Sequence, residues 1–166
     1  EGEIMVPDFL TALEKGEDGT DIPGVLGRVG GKIQGDETFQ EIDDLDSLPF
    51  PYENQDFRDL DHRIMYYESS RGCPFHCQYC LSGMNDRVRF RSVPRVLQEL
   101  QTFVDAGVSQ VKFVDRTFNC NPSHHRPLVE YMIGVEKPVN FHLEIEPAVL
   151  TDDDIDLLAK APKGRI

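Results

Sequence analysis

Hydrophobic residues along the chain fall into short alternating patterns that predict strands and helices in sequence. In Ile4–Gly16 the apolar positions 6, 9, 10 and 13 make the stripe of one helix face, and Gly16 stands where a C-terminal cap is expected. Between Ile22 and Ile33 two short runs flank Gly30-Gly31, the signature of a small hairpin. Residues 36–61 lose periodicity. Pro49 and Pro51 deny the backbone a regular ladder, so this connector is expected to be extended and docked through Leu45, Leu48, Pro49, Phe50 and Pro51.

From Arg63 the texture changes to strand followed by helix, three times over. Ile64–Glu68 is a β-prone run. Ser92 caps a helix with apolar positions 93, 96, 97, 100, 103 and 104 that ends at Gly107. Val108–Val114 is the second strand. A third helix is expected to run properly from Leu128 to Gly134, with Pro127 confined to its first turn. Val139–Ile145 is the third strand, and Thr151–Asp154 fits a capping box that opens a helix containing Ile155, Leu157 and Leu158. Three such units predict an α/β fold with a parallel sheet and right-handed crossovers, in which chemistry gathers beyond the C-terminal strand ends. The segment after Glu68, Asp115-Arg116-Thr117 and Glu144-Ile145-Glu146 all fall there.

Charge narrows the partners. The 166 residues carry a formal net charge of −13, and no Lys/Arg cluster is present to neutralise phosphates. Duplex nucleic acid and anionic membranes are therefore not expected as partners. Ten of the acids lie between Asp36 and Asp61 against a single base, Arg58, which reads as a solvated linker. No apolar run reaches the roughly 20 residues of a membrane-spanning helix. The opening Glu1–Met5 lacks the basic-then-apolar layout of a secretion signal.

Three of the four cysteines are packed into eight residues. Distant stapling by disulfides does not look like this. Clustered thiols point to a reducing cytoplasm and a metal. The C-x3-C-x2-C spacing of Cys73, Cys77 and Cys80 can wrap three corners of an iron–sulfur cube and leave one iron open. A zinc-stabilised, non-catalytic binding module is the alternative; its fourth ligand would be His76 or Cys120. Cys120 otherwise reads as a plain small residue, and His124 and His125 as solvent-facing. Arg116 reads as a partner of a nearby carboxylate or as part of the site. Glu144 and Glu146, two apart in a strand, share one face and read either as ligand contacts or as members of structural ion pairs.

The segment Glu68-Ser69-Ser70-Arg71-Gly72-Cys73-Pro74-Phe75-His76-Cys77-Gln78-Tyr79-Cys80 resembles the signature of the radical SAM superfamily. With Lys112–Asn119 and the opening Glu1-Gly2-Glu3, it resembles the subgroup with an N-terminal cobalamin-binding domain. The resemblance implies a 4Fe–4S cluster on the three cysteines and S-adenosylmethionine (SAM) on the open iron, cleaved reductively to a 5′-deoxyadenosyl radical. Tyr79 is then expected beside the adenine, and Asp115, Glu144 and Glu146 are the remaining candidates for cofactor contacts. The Gly-Gly-Glu run that holds the SAM amino group in many relatives is missing; Asp115 stands in its place. No catalytic residue is assigned.

The implied division is residues 1–15 as the tail of an upstream cobalamin-type domain, 16–62 as an interdomain linker, and 63–166 as the first half of a partial (β/α) barrel. The implied partners are an electron donor such as flavodoxin or ferredoxin and a small-molecule substrate. Cobalamin-dependent methyl transfer is one chemistry this pairing supports, with the cobalamin site outside these residues. As a piece of a longer enzyme, the chain is expected to hold a cluster without turning over and to leave the edge of its third strand bare.

Overall fold

The computed structural model describes residues 1–53, 57, 63–84 and 87–166 and falls into two compact units, 1–43 and 44–166. The connector's positions 54–56 and 58–61 lie outside the described residues, as does the expected boundary at 62.

In the first unit, helix α1 (Gly2–Glu14) precedes a hairpin of β1 (Leu26–Val29) and β2 (Lys32–Gly35). Gly16 adopts φ 78°, and the Gly16 and Glu17 N–H groups close back on the Leu13 and Ala12 carbonyls, as the cap position predicts. The two-residue turn at Gly30 and Gly31 has positive φ at both positions, which only glycine adopts without strain and which matches the twist of the strands. The apolar stripe of α1 is largely open to solvent: Val6, Leu10 and Leu13 are exposed and only Ala12 is buried.

The second unit is built on a parallel three-stranded sheet in the order β3 (Met65–Tyr67), β6 (Gln110–Phe113), β7 (Asn140–His142). Helices α2 (Val93–Ala106), α3 (Pro122–Gly134) and α4 (Asp152–Leu158) complete it. One sheet face buries Met65, Tyr67, Val111, Phe113 and Phe141 beneath α2 and α3. Phe103 sits at the centre, with Phe50, Tyr52, Phe57 and Tyr67 arranged edge-on around its ring. A small antiparallel pair, β4 (Ser70–Arg71) and β5 (Arg89–Phe90), stands beside the end of β3.

The α2 caps are as expected. The Ser92 hydroxyl accepts from the Arg95 N–H, and Gly107 is left-handed at φ 72°. The Thr151/Asp154 capping box is complete. The connector docks through Leu45, Leu48 and Phe50, whereas Pro49 and Pro51 point to solvent.

Three expectations are corrected. Helix α3 begins at Pro122, so Pro127 lies in its interior without an N–H to give. A helix in isolation loses about 3 kcal/mol this way. Here Pro122 at the start, the Asn121 cap and the burial of Leu128, Val129 and Met132 offset it. His124 and His125 are buried, not solvent-facing. The third strand is confined to Asn140–His142, so Glu144 and Glu146 lie beyond the ladder and strand alternation does not apply to them.

The outer edge of β7 is also covered. The Phe141 N–H donates to the Arg165 carbonyl at 2.7 Å, and the Asn140 amide donates to the Gly164 carbonyl. The Arg165 guanidinium, itself buried, donates to the carbonyls of Val135, Lys137 and Val139, at the negative end of α3. On the opposite edge the Tyr52 hydroxyl both donates to the Tyr66 carbonyl and accepts from the Tyr66 N–H. Both edges thus have backbone groups satisfied without another strand.

Candidate functional site at the C-terminal sheet edge

Strand β3 delivers the chain at Tyr67 into Glu68-Ser69, and the Val114 N–H to Tyr67 carbonyl bond extends the β3–β6 ladder to the mouth of the loop. Here Asp115 intervenes. Only 1% exposed, its carboxylate accepts from the Ser69 N–H (3.1 Å), the Ser69 hydroxyl (2.7 Å) and the Ser70 hydroxyl. Burial pushes its carboxyl upward against these hydrogen bonds, which favour the charged form. Both of its oxygens are occupied in fixing the start of the cysteine loop.

A second clamp holds the same segment from the other side. The Arg91 N–H, just after β5, donates to the Ser69 carbonyl at 2.8 Å. Its guanidinium, with that of Arg95, pairs with buried Glu99 of α2 at 3.3 and 2.6 Å, and Glu99 also accepts from the Tyr67 hydroxyl at 2.7 Å. Gly72, at φ 100°, passes so close to β5 that a Cβ there would stand 2.4 Å from the Arg87 carbonyl oxygen. Only glycine suits that position.

Cys73 follows directly and is 8% exposed. Its Sγ lies 3.3 Å from the Thr117 hydroxyl, which is itself buried. Further along, the Cys80 N–H closes a turn on the Cys77 carbonyl; both thiols are exposed and Tyr79 is 93% exposed. None of the four cysteines is in a disulfide. Among the described residues no three His, Cys, Asp or Glu side chains form a site for a metal ion. The donor set itself suits a thiolate-ligated cluster: three sulfurs on one loop, none in a disulfide, one seated and two open.

The loops after β6 and β7 zip together above the sheet. The Phe118 N–H donates to the Glu144 carbonyl, while the Asn119 side chain both donates to the Glu146 carbonyl and accepts from its N–H. The Glu144 side chain is half-exposed, 3.5 Å from Lys112. Glu146 is turned to cap its own turn through the Ala148 N–H. Strand register places Tyr66, Lys112 and His142 in one row on the face away from the core. Cys120 is half-buried beside Thr117, and burial pushes its thiol upward. Arg116 is exposed.

Sequence reasoning missed the tasks of Ser69, Ser70 and Thr117. All three stand inside the quoted motifs, and the pair of hydroxyls ahead of the loop was the available signal. A match to the Radical SAM superfamily covers residues 67–166. The chain belongs to that superfamily. It is 31% identical over 130 residues to an uncharacterized methyltransferase of Pyrococcus horikoshii, covering 73% of this chain and 28% of that protein. It is 30% identical over 166 residues to an uncharacterized methyltransferase of a Synechocystis species, covering 95% of this chain and 27% of the relative. The chain therefore spans little more than a quarter of the length of these relatives. Among solved structures, the radical SAM methyltransferase TsrM from Kitasatospora setae, with cobalamin and a 4Fe–4S cluster bound, superposes with a TM-score of 0.69 at 16% identity. That match covers 96% of this chain and 35% of TsrM. A second TsrM structure, with tryptophan substrate and a SAM analogue, gives a TM-score of 0.67. The shared fold is the partial barrel of radical SAM proteins.

Proposed function

We propose that Cys73, Cys77 and Cys80 ligate a 4Fe–4S cluster whose open iron takes SAM, and that the whole protein is a radical SAM methyltransferase. The observation that carries this reading is the placing of three thiols within eight residues on one loop at the C-terminal sheet edge, with Cys73 seated and Cys77 and Cys80 open, within the stretch that matches the superfamily. When bound, the cluster supplies the electron that cleaves the sulfonium of SAM.

The chain's own residues prepare that event. Asp115, Gly72 and Arg91 fix where Cys73 sits, while Thr117 and the buried floor keep water from its sulfur. Tyr79 has its ring open to stack on an adenine. Glu144 stands where a cationic amino group can be met, 3.5 Å from Lys112. Glu146, engaged in its own turn, contributes a backbone contact to Asn119.

Cobalamin as methyl carrier, a small-molecule substrate, an electron donor of the flavodoxin or ferredoxin class and a cytoplasmic setting complete the proposal for the whole protein. Its support is the methyltransferase relatives and the clustering of three of the four cysteines on one loop. Because this chain spans so little of its relatives, turnover is assigned to the whole protein; the chain alone is proposed to bind a cluster and cleave SAM slowly.

Anaerobic reconstitution tests the site. About four irons and four sulfides per chain are expected, with a reducible EPR signal. Cys73→Ala, Cys77→Ala and Cys80→Ala each abolish it, and Cys120→Ala leaves it. One tightly held zinc without sulfide establishes the non-catalytic module instead.

A further inference from the structure

The Thr117 hydroxyl is buried in a place where it must have an acceptor. Thr117 is 5% exposed, and among the described residues the partner of its hydroxyl is the Cys73 sulfur at 3.3 Å. A hydroxyl so far from bulk water leaves a free-energy deficit unless it donates. As a bare pair of thiol and alcohol, either atom can be the donor. As a metal-bound thiolate, Cys73 has no proton to give, so the direction becomes fixed: Thr117 donates and the sulfur accepts.

The position of Thr117 is set by the main chain. Its carbonyl accepts from the Cys120 N–H at 3.2 Å, and the next residue, Phe118, donates to the Glu144 carbonyl at 2.9 Å while burying its ring against Phe113. Two residues earlier, Asp115 fixes the approach to Cys73. Donor and acceptor are therefore both held by strand β6 and its immediate continuation, and the contact is built into the fold. Cys77 and Cys80 are exposed, so Cys73 is the ligand buried against this donor.

We propose that Thr117 is a positioning residue that donates a hydrogen bond to the Cys73 thiolate and raises the reduction potential of the cluster. This inference rests on the cluster assignment above. The sign follows from charge. Reduction adds one electron, drawn from the reductant, and breaks no bond in the protein; the cluster becomes more negative by one. A hydrogen bond to a ligand sulfur stabilises the more negative state more than the less negative one. Removing the donor makes the cluster harder to reduce.

The test is a redox titration of the full chain after anaerobic reconstitution, monitored by EPR, for wild type, Thr117→Val and Thr117→Ser. Iron and sulfide counts on the wild type come first; their failure removes the cluster assignment and is distinct from anything the variants show. Valine preserves the shape and deletes the hydroxyl. It is expected to lower the ratio of reduced to oxidised cluster roughly tenfold at fixed ambient potential, about 59 mV for a one-electron couple. Serine is expected to restore the wild-type value. If valine does not retain a cluster, Thr117→Ala against Thr117→Ser makes the same comparison. An unchanged potential in an intact valine or alanine variant overturns the proposal. So does a serine variant that behaves like valine or alanine, or failure of all three variants to assemble a cluster, which makes Thr117 a folding residue only.

Discussion

Replacing Asp115 distinguishes a residue that holds the loop from one that holds a ligand. The carboxylate is 1% exposed and accepts one backbone and two hydroxyl hydrogen bonds from Ser69 and Ser70. Alanine would orphan all three donors. The serine hydroxyls can rotate toward other acceptors, but the Ser69 N–H cannot move without moving the main chain between β3 and β4. An orphaned buried donor costs about 1–3 kcal/mol, and the buried carboxyl's own desolvation, relieved by the mutation, offsets part of it. The net expectation for Asp115→Ala is a loss of about 2–4 kcal/mol, against about 1 kcal/mol for Ser70→Ala. Asparagine keeps the size but points an amide at one of the donors, and should fall between the two. In urea denaturation of the cluster-free chain, the Asp115→Ala loss appears as a midpoint lowered by about 1–2 M and the Ser70→Ala loss as about 0.5 M, at unchanged slope. SAM affinity of reconstituted, folded Asp115→Asn should stay within a few-fold of wild type. Wild-type stability combined with a tenfold or larger fall in SAM affinity would refute the argument and restore Asp115 as a ligand contact.

Gly72→Ala should prevent β5 from closing on β4, because the new methyl meets a backbone oxygen at a positive φ; a destabilisation of about 2–4 kcal/mol is expected, with loss of iron on reconstitution. Stability should also fall in two steps as pH drops. Burial lowers the pKa of His124, so its contribution is fully present above the unfolded value of about 6.5 and is lost as pH falls toward the folded one. Hydrogen bonds from Arg126 above all, with Thr151 and His125, hold Asp154 well below the usual carboxylate range, so its contribution is lost only below about pH 4. Asp115, shifted the opposite way, is common to wild type and His124→Phe, so the difference between their urea midpoints at pH 7.5, 6 and 5 isolates His124. An equal pH slope in both proteins counts against this assignment.

Where local chemistry decides structure, the sequence was legible. Two glycines that permit a tight turn, a serine before a periodic run, and threonine three residues before aspartate each act within a few residues, and each produced its element. The cysteine spacing is local in the same way, since three thiols within eight residues are read without a distant partner. What stayed hidden depends on long-range packing. Pro127 argues locally against a helix and is overruled by the tertiary burial of the residues that follow it. Strands β4 and β5 are two residues each, too short for any period to register, yet they position Cys73. Asp115 reads as an available acid until Ser69, 46 residues earlier, is found against it. The guanidinium of Arg165 donates to three carbonyls 26 to 30 residues earlier, which no local pattern announces.

The three proposed ligands are held unequally, and that asymmetry is measurable before any iron is added. Cys73 is wedged between Gly72, which cannot shift, and Thr117 on the continuation of β6, whereas Cys77 and Cys80 are exposed around a single turn. Alkylation needs the sulfur open to an attacking reagent. Exposed thiols react from the folded state, and a buried one reacts only after a local opening whose free energy divides its rate, tenfold for each ~1.4 kcal/mol. In the cluster-free chain, iodoacetamide followed by peptide mass mapping should therefore label Cys77 and Cys80 first and Cys73 at least tenfold more slowly, with half-buried Cys120 between them. Gly72→Ala, which unseats the anchored end, should bring Cys73 up to the rate of the other two. Assembly of the cluster should then protect all three ligands together while Cys120 keeps its rate, because bonding to iron replaces burial as the protecting agent. Equal labelling of Cys73, Cys77 and Cys80 in the folded cluster-free chain would mean that the seat beneath Cys73 is not formed until metal binds. Asp115 and Thr117 would then be consequences of the cluster rather than its preparation.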